Sequence, residues 1–164
     1  MITLEQLLLS REDRARHQQD LLGKNPGRSL VCLTVQLPGS RKRSPASLTI
    51  GKAGVQALRQ AFPGPDPEVR DLPSGYEAYL PVSLPAPQAK LLCCNIEDSH
   101  PLGRLMDIDV ITPEGPLDRT SVGLEPRRCL LCSNPARYCI RARTHSVQEL
   151  LDRIQQMVSA YGQL

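Results

Sequence analysis

Apolar residues recur at helical spacing in three long segments of this chain. Residues 3–22 carry leucines at both ends of one such stripe, and Thr3 is placed to cap the helix. Residues 146–161 repeat the pattern over four turns. A third helix is expected over residues 47–62, with Ser47 as its cap. The pattern therefore predicts a helix at each end of the chain and one between them.

Shorter apolar runs rich in β-formers predict strands between these helices. The clearest run is residues 29–37, which glycine and proline bound on either side. The other runs are residues 69–72, 76–84, 89–96 and 105–112. A mixture of this kind buries one face of a sheet against helices. We expect an α+β or α/β fold with a mixed β-sheet flanked by the N- and C-terminal helices.

Two carboxylates, Asp107 and Asp109, lie two positions apart in the strand predicted over residues 105–112. Side chains alternate between the faces of a strand, so both aspartates share one face while Met106 and Ile108 point to the other. Two adjacent anions cost free energy unless a cation lies between them. Mg²⁺ bound to phosphate oxygens is a usual occupant of such a pair. The alternative is a half-exposed edge strand that carries two aspartates.

Composition narrows the classes of function. The length of 164 residues predicts a single domain over residues 1–164, and the formal charge is only +3. With no Trp and one Phe, the chain lacks the aromatic platforms that stack on single-stranded nucleic acid. No apolar stretch has the length of a membrane span, and no signal peptide is recognisable. We expect a cytoplasmic protein without a nucleic-acid or membrane partner.

The C-terminal third contains a C-x2-C motif, Cys129 and Cys132, followed by Cys139 and His145. Three thiolates and an imidazole can close a tetrahedral structural zinc site. The spacing is shorter than in common zinc ribbons, and a second C-x2-C is absent. Alternatively, the three cysteines lie near one helix face and pack into the core, since free cysteine is often buried. A redox motif lacks the thioredoxin-like surroundings it needs.

Basic residues are concentrated in two places. The first predicted helix carries Arg11 and Arg14, and the loop after the first predicted strand carries Arg41, Lys42 and Arg43. Loops at strand ends often bind ligands, and clustered arginine and lysine suit phosphate. The alternative for both groups is a solvated surface. They are therefore candidates for phosphate binding.

The region around the aspartate pair resembles one family, the apo-citrate lyase phosphoribosyl-dephospho-CoA transferases, also called citrate lyase holo-acyl-carrier-protein synthases. The segments that carry the resemblance are Ser99–Val110, Thr112-Pro113-Glu114-Gly115, Pro126-Arg127 and Cys129-Leu130-Leu131-Cys132. The likeness covers most of the chain, and residues 63–87 match least. Met106 departs from the family pattern, which has a bulky aromatic residue there.

The resemblance implies a nucleotidyltransfer. The donor would be 2'-(5-triphosphoribosyl)-3'-dephospho-CoA, and a serine of the citrate lyase acyl carrier protein would be the acceptor. Pyrophosphate would be released. The same transfer to the malonate decarboxylase carrier protein is a close alternative, and a non-enzymatic zinc-stapled interaction module is an alternative of another class. Asp107 and Asp109 would hold Mg²⁺ much as the D-x-D strand of nucleotidyltransferases does. This is an analogy and not a match of folds.

Phosphoryl transfer requires in-line positioning of the reacting groups, a metal ion, and cations that contact the leaving group. The resemblance implies which residues take these roles. The catalytic candidates are Asp107 and Asp109 as Mg²⁺ ligands, Glu97 as a third carboxylate, and His100. His100 would accept the serine proton or bind phosphate, with a turn-stabilising hydrogen bond as the alternative. A glycine turn lets backbone N–H groups approach phosphate. The substrate-binding candidates are Gly103, Arg104, Arg11, Arg14, Arg41, Lys42 and Arg43.

Overall fold

Five strands form one antiparallel sheet in the computed structural model, which describes residues 1–164. The strands are β1 (Ser29–Val35), β2 (Glu68–Leu72), β3 (Gly75–Val82), β4 (Asp107–Thr112) and β5 (Gly115–Leu117). Their order across the sheet is β2-β3-β1-β4-β5, and each neighbouring pair is antiparallel. The expectation of a mixed sheet is wrong in this respect.

Five helices accompany the sheet and confirm the α+β prediction for a single domain. They are α1 (Leu4–Lys24), α2 (Pro45–Ala61), α3 (Ala86–Ser99), α4 (Ala136–Ala142) and α5 (Val147–Tyr161). Short 3-10 turns occur at Gly103–Leu105 and Thr120–Val122. None of these helices combines the length and the apolar character needed to cross a bilayer.

The predicted strand over residues 89–96 is wrong, because this run forms the middle of α3. Its buried positions follow helical spacing: Ala89, Cys93 and Ile96 face the core, while Leu91 is 45% exposed. Two prolines near the start of α3 suit its first turn, where the missing N–H has no intrahelical partner. Short apolar runs do not distinguish a strand from a helix by composition.

Side-chain caps fix where the first two helices begin. Thr3 and Gln6 form the reciprocal hydrogen bonds of a capping box at the start of α1. The cap of α2 is Ser44, with Ser47 as the other member of its capping box. Pro45 occupies the first helical position, so α2 starts two residues before the predicted start.

The two faces of the sheet are covered unequally. On one face, side chains of β1 such as Val31 and Leu33 join a core of 21 buried residues to which α2, α3 and α5 contribute. On the other face, a cluster of only four buried residues packs under Leu21 and Leu22 of α1. The second face therefore leaves room for polar side chains.

Gly103 packs closely against the end of α3, which yields a stability prediction. A Cβ atom at this position would collide with the carbonyl oxygens of Ile96 and Glu97. We expect Gly103→Ala to lower the free energy of unfolding by about 1–3 kcal/mol in urea titrations. The control is Gly23→Ala, a helical position with no atom nearby, which should be neutral or stabilising. Equal stability of the two variants would contradict this packing.

Candidate functional site

The predicted aspartate pair lies on the thinly covered face of the sheet. Asp107 and Asp109 occupy β4, while Met106 and Ile108 are fully buried in the main core. The predicted alternation is therefore confirmed, and the methionine that departs from the family pattern faces away from the aspartates. The geometry places both carboxylates on a polar surface.

Strand register adds a third carboxylate to this surface. Thr34 of β1 lies opposite Asp107 on one side and opposite Glu77 of β3 on the other. Opposite residues of an antiparallel pair have their side chains on one face. Glu77, Thr34 and Asp107 therefore form a polar row across three strands. Sequence reasoning missed Glu77, although a lone acidic residue between Tyr76 and Ala78 was a usable signal.

Glu77 differs from the aspartates because its charge is already compensated. Its side chain is 5% exposed and lies 3.5 Å from the Nη1 atom of Arg14, a guanidinium that α1 places over the sheet. The Tyr79 hydroxyl donates a hydrogen bond of 2.5 Å to Glu77 Oε1. In contrast, the carboxylates of Asp107 and Asp109 accept no hydrogen bond, and the pair takes part in a single long ion pair, 3.9 Å between Arg127 Nη1 and Asp107 Oδ1.

The negative charge of the aspartate pair is therefore less fully compensated than that of Glu77. Burial raises the pKa of Asp109 to about 6, and the negative charge of Asp107 contributes to the same shift. The Asp107 side chain is 62% exposed and open to an approaching ligand. Such a pair attracts a cation at the polar row.

Glu97, the predicted third carboxylate of this site, lies in α3 rather than at a strand end and is 2% exposed. Its Oε2 atom accepts the backbone N–H of Ile108 at 2.9 Å, and its Oε1 atom lies 2.8 Å from Arg119 Nη2. Arg127 approaches the same carboxylate at 3.5 Å. These contacts favour a role in tethering α3 to β4 over a role as a metal ligand.

His100 and Gly103 are engaged within the turn that follows α3. The Nδ1 atom of His100 accepts the N–H of Leu102 at 2.9 Å, and burial lowers the pKa of the imidazole. The Gly103 N–H donates to the His100 carbonyl at 2.9 Å, so this N–H is already satisfied. The contacts correspond to the turn-stabilising alternative for His100.

Arg104 and Arg127 line a cavity of about 290 Å³ together with Asp107 and Thr34. Arg127 donates from Nη2 to the Arg104 carbonyl at 2.9 Å, and Arg104 donates to the Arg128 carbonyl. The Nε atom of Arg127 is buried without a hydrogen-bond partner. The positive charge of the two guanidinium groups beside this cavity suits an anion. Arg127 was not predicted, although it stands two residues before the C-x2-C motif.

A larger cavity of about 750 Å³ lies between α1, the loop after β1 and the β2–β3 turn. Four predicted basic residues and one that was missed line it: Arg14, Arg41, Lys42, Arg43 and Arg70. Arg11 lies outside its lining, but burial and the charge of Arg11 lower the pKa of Lys42. Glu77 lines this cavity as well, so both cavities open onto the polar row.

The C-terminal cysteines and His145 come together in space. Cys129 and Cys132 lie in a turn closed by a 2.7 Å hydrogen bond from the Cys129 N–H to the Asn134 carbonyl. Cys139 lies in α4 and His145 precedes α5. The ligand atoms of all four residues lie within 4.8 Å of one another. Packing of the three cysteines along one helix face is therefore wrong, and the four form a possible metal-binding cluster.

The surroundings of His145 fit metal coordination. Its Nε2 atom is buried without a hydrogen-bond partner, and its Nδ1 atom lies 3.6 Å from Glu149 Oε2. A carboxylate on the second ring nitrogen is the usual way to orient a metal-binding histidine. The adjacent His145 imidazole lowers the pKa of Cys132 to about 7, which favours the thiolate that a metal requires.

Comparison with known proteins matches nearly the whole chain to one family. A family model described as apo-citrate lyase phosphoribosyl-dephospho-CoA transferase matches residues 2–161. A protein of that name from Escherichia coli O1:K1 / APEC is 39% identical, with 96% of this chain and 89% of that protein covered. Proteins of the same name from Shigella boydii serotype 18 and Escherichia coli O157:H7 show the same identity and coverage.

The raised pKa of Asp109 predicts how stability depends on pH without metal. A folded-state pKa of about 6 against an ordinary value of 3.8 means that the folded state binds more protons between these values. Stability should then fall as pH rises from 3.8 to about 6. Because asparagine cannot ionise, Asp109→Asn should weaken this dependence and raise the free energy of unfolding at neutral pH by about 1–2 kcal/mol.

The measurement is urea unfolding across this pH range in buffer with a chelator. The control is Glu114→Gln, an exposed carboxylate at the β4–β5 turn that takes part in no ion pair. Identical pH profiles for wild type and Asp109→Asn would show that burial of Asp109 does not disfavour its charge.

Proposed function

The chain belongs to the apo-citrate lyase phosphoribosyl-dephospho-CoA transferase family, and we propose that it transfers this prosthetic group to the acyl carrier protein of citrate lyase. The donor is 2'-(5-triphosphoribosyl)-3'-dephospho-CoA and the acceptor is a serine hydroxyl. The observation that carries the proposal is the aspartate pair, whose carboxylates accept no hydrogen bond, beside an arginine-lined cavity. Membership in a transferase family also removes the non-enzymatic interaction module from consideration.

In the proposed reaction, the serine oxygen attacks the phosphorus atom attached to the ribose. A phosphodiester bond to the carrier protein forms, and the bond between that phosphorus and the pyrophosphate oxygen breaks. The serine proton passes to a base, for which His100 is the sequence-based candidate. Because Nδ1 accepts the Leu102 N–H, neutral His100 carries its own proton on Nε2, so it could take the serine proton only at Nδ1, after that hydrogen bond is released.

Asp107 and Asp109 fit the requirements of a Mg²⁺ site. Their carboxylates are free of hydrogen bonds and share one face of β4. Mg²⁺ takes one or two carboxylates and completes its coordination with phosphate and water, so a two-aspartate site suits a metal that arrives with the donor. When bound, the ion would neutralise phosphate charge. Glu77 closes the polar row on the far side of Thr34, where Arg14 compensates its charge.

The smaller cavity is the proposed site for the leaving pyrophosphate. Arg104 and Arg127 lie beside Asp107 there, and 23% of the Arg127 side chain is exposed. Fixed cations next to the metal ligands oppose the charge that builds up on the leaving group. Arg127 therefore joins Arg104 as a candidate contact to this anion.

The larger cavity is the proposed site for the rest of the anionic donor. Its volume of about 750 Å³ falls in the range that accommodates cofactor-sized ligands. The loop residues Arg41, Lys42 and Arg43 supply positive charge at its rim. Arg14 adds a further positive charge beside Glu77. A donor bound there would reach the polar row without crossing the core.

Zn²⁺ is the metal that best suits the four-residue cluster. Tetrahedral zinc with bonds of about 2.3 Å to sulfur separates two thiolates by roughly 3.8 Å. Cys132 Sγ and Cys139 Sγ lie 3.5 Å apart, so only a small adjustment is needed. Three cysteines and one histidine leave no open coordination position, which is typical of a structural site. We therefore assign the cluster to fold stability rather than to the transfer itself.

The transfer is tested by intact-mass analysis of the apo-carrier protein incubated with this chain, the donor and Mg²⁺. Wild type should add the mass of the prosthetic group. Asp107→Asn and Asp109→Asn should each lower the rate by about 10²–10³ because a charged metal ligand is lost. The exposed control Glu114→Gln should retain activity and melting temperature. Near-normal rates in both aspartate variants would end the metal-site proposal.

The zinc assignment is tested by elemental analysis of the purified chain. We expect about one zinc ion per chain in wild type, as a closed four-ligand site implies. Cys132→Ser should lose the metal and expose the segment around α4 to limited proteolysis. Cys94→Ala removes a thiol outside the cluster and should keep the ion. Wild type without zinc, or full zinc content in Cys132→Ser, would contradict the assignment.

A further inference from the structure

Charge is distributed very unevenly along the chain. Residues 126–148 contain five arginines and no lysine, aspartate or glutamate, although the whole chain carries only +3. The remainder of the chain is therefore net acidic. We refer to residues 126–148 as the cationic lobe. It comprises the cysteine turn, α4 and the approach to α5.

Most of the charge on the cationic lobe is unpaired. Arg14, Arg43 and Arg119, outside the lobe, each lie in an ion pair with an acidic residue. In the lobe, Arg128 pairs with Glu125 and Arg127 contacts Glu97. The other three arginines of the lobe, Arg137, Arg141 and Arg143, are exposed and form no ion pair. Nothing within the chain neutralises this surface.

The same surface exposes two large apolar side chains. Tyr138 is 58% exposed and Ile140 is 78% exposed, although both lie in α4. Cys139, between them, points inward and is buried. Tyrosine and arginine around an apolar centre are the residues that dominate protein–protein binding energy. The composition is thus typical of an interface with an acidic partner.

Backbone strain at Arg143 supports this interpretation. Arg143 follows the last residue of α4 with φ 51° and ψ 47°, the left-handed conformation that glycine adopts at low cost. It is the one residue other than glycine with positive φ in the chain. An arginine at a position suited to glycine indicates a use for its side chain.

The cationic lobe also borders the proposed catalytic site. Leu130 and Arg127 line the smaller cavity together with Asp107. The Arg128 carbonyl accepts a hydrogen bond from Arg104 in the turn that leads into β4. The part of the cationic lobe that precedes α4 therefore borders the cavity beside Asp107.

We propose that the cationic lobe is the docking surface for the acceptor carrier protein, which it recognises through an acidic surface near the modified serine. The inference rests on the proposed function, because that reaction requires a protein acceptor beside Asp107. A cationic surface also attracts nucleic acid, but the lobe offers Tyr138 as its only aromatic side chain. The metal cluster would fix the orientation of α4 for docking.

The test measures kcat and KM for the carrier protein at saturating donor. Charge reversal in Arg137→Glu combined with Arg141→Glu should raise the carrier-protein KM about tenfold or more, while kcat and the donor KM stay within about twofold. Higher ionic strength should raise the wild-type KM and affect the double variant less. Ile140→Ser should raise the same KM and keep the wild-type salt dependence, because the arginines remain in place.

Two variants separate docking from folding. Arg143→Gly removes the charge at a position whose backbone favours glycine, so it should raise the carrier-protein KM while melting temperature and zinc content are retained. Lys52→Glu reverses an exposed charge on α2, outside both cavities, and should leave every parameter unchanged. An unchanged carrier-protein KM in Arg143→Gly and in the double reversal would overturn the proposal.

Direct binding distinguishes this inference from the proposed function. Calorimetric titration of the full-length chain with apo-carrier protein needs no transfer, and binding that the double reversal abolishes would support docking even if no mass is added. Transfer by wild type with equal affinity in all variants would overturn docking alone. Reversal-sensitive binding to duplex DNA, with unchanged carrier-protein affinity, would instead assign the lobe to nucleic acid.

Discussion

The buried carboxylate of Glu97 holds together the elements on which the site depends. It accepts the Ile108 N–H of β4 and contacts Arg119 and Arg127, which belong to two separate later segments. A buried charge is tolerated only when it is paired and hydrogen-bonded, and removal of one partner typically costs about 3–5 kcal/mol. The position of Asp107 relative to Arg127 therefore depends on a side chain that lies in a helix beneath the sheet.

The helices cover the two faces of the sheet unequally, and this explains how its middle strands accommodate acidic residues. The face packed by α2, α3 and α5 takes the apolar side chains, so alternation forces the intervening polar ones toward α1. There Arg14 compensates Glu77 from above, whereas Asp107 meets only Arg127, at 3.9 Å, and Asp109 lies in no ion pair. The alternation that places apolar side chains in the core thus also concentrates negative charge at the site where the metal of an anionic donor would bind.

Local signals predicted the terminal helices, the strands β1, β2 and β3, and the alternation in β4, because each depends on neighbours in the chain. Residues 89–96 were misassigned because a run of leucine and cysteine suits either element, and only packing against β4 decides it. Glu77 was missed for another reason. Its place beside Thr34 arises from register across β1, which pairs residues more than 40 positions apart. Sequence spacing and composition do not reveal which residues such long-range strand pairing brings together.

Two groups of arginines differ in their electrostatic surroundings. Arg14 and Arg43 line the larger cavity and are held in place by ion pairs with Glu77 and Asp71. Arg137 and Arg141 of α4 are exposed and form no ion pair. A small polyanion is best held by fixed cations in a partly enclosed cleft, where screening is weak. A protein partner is better bound by exposed cations. Such cations attract it from a distance and then pair with its carboxylates as water is displaced. The fold thus provides one kind of basic surface for each of the two substrates that the proposed reaction must bring together.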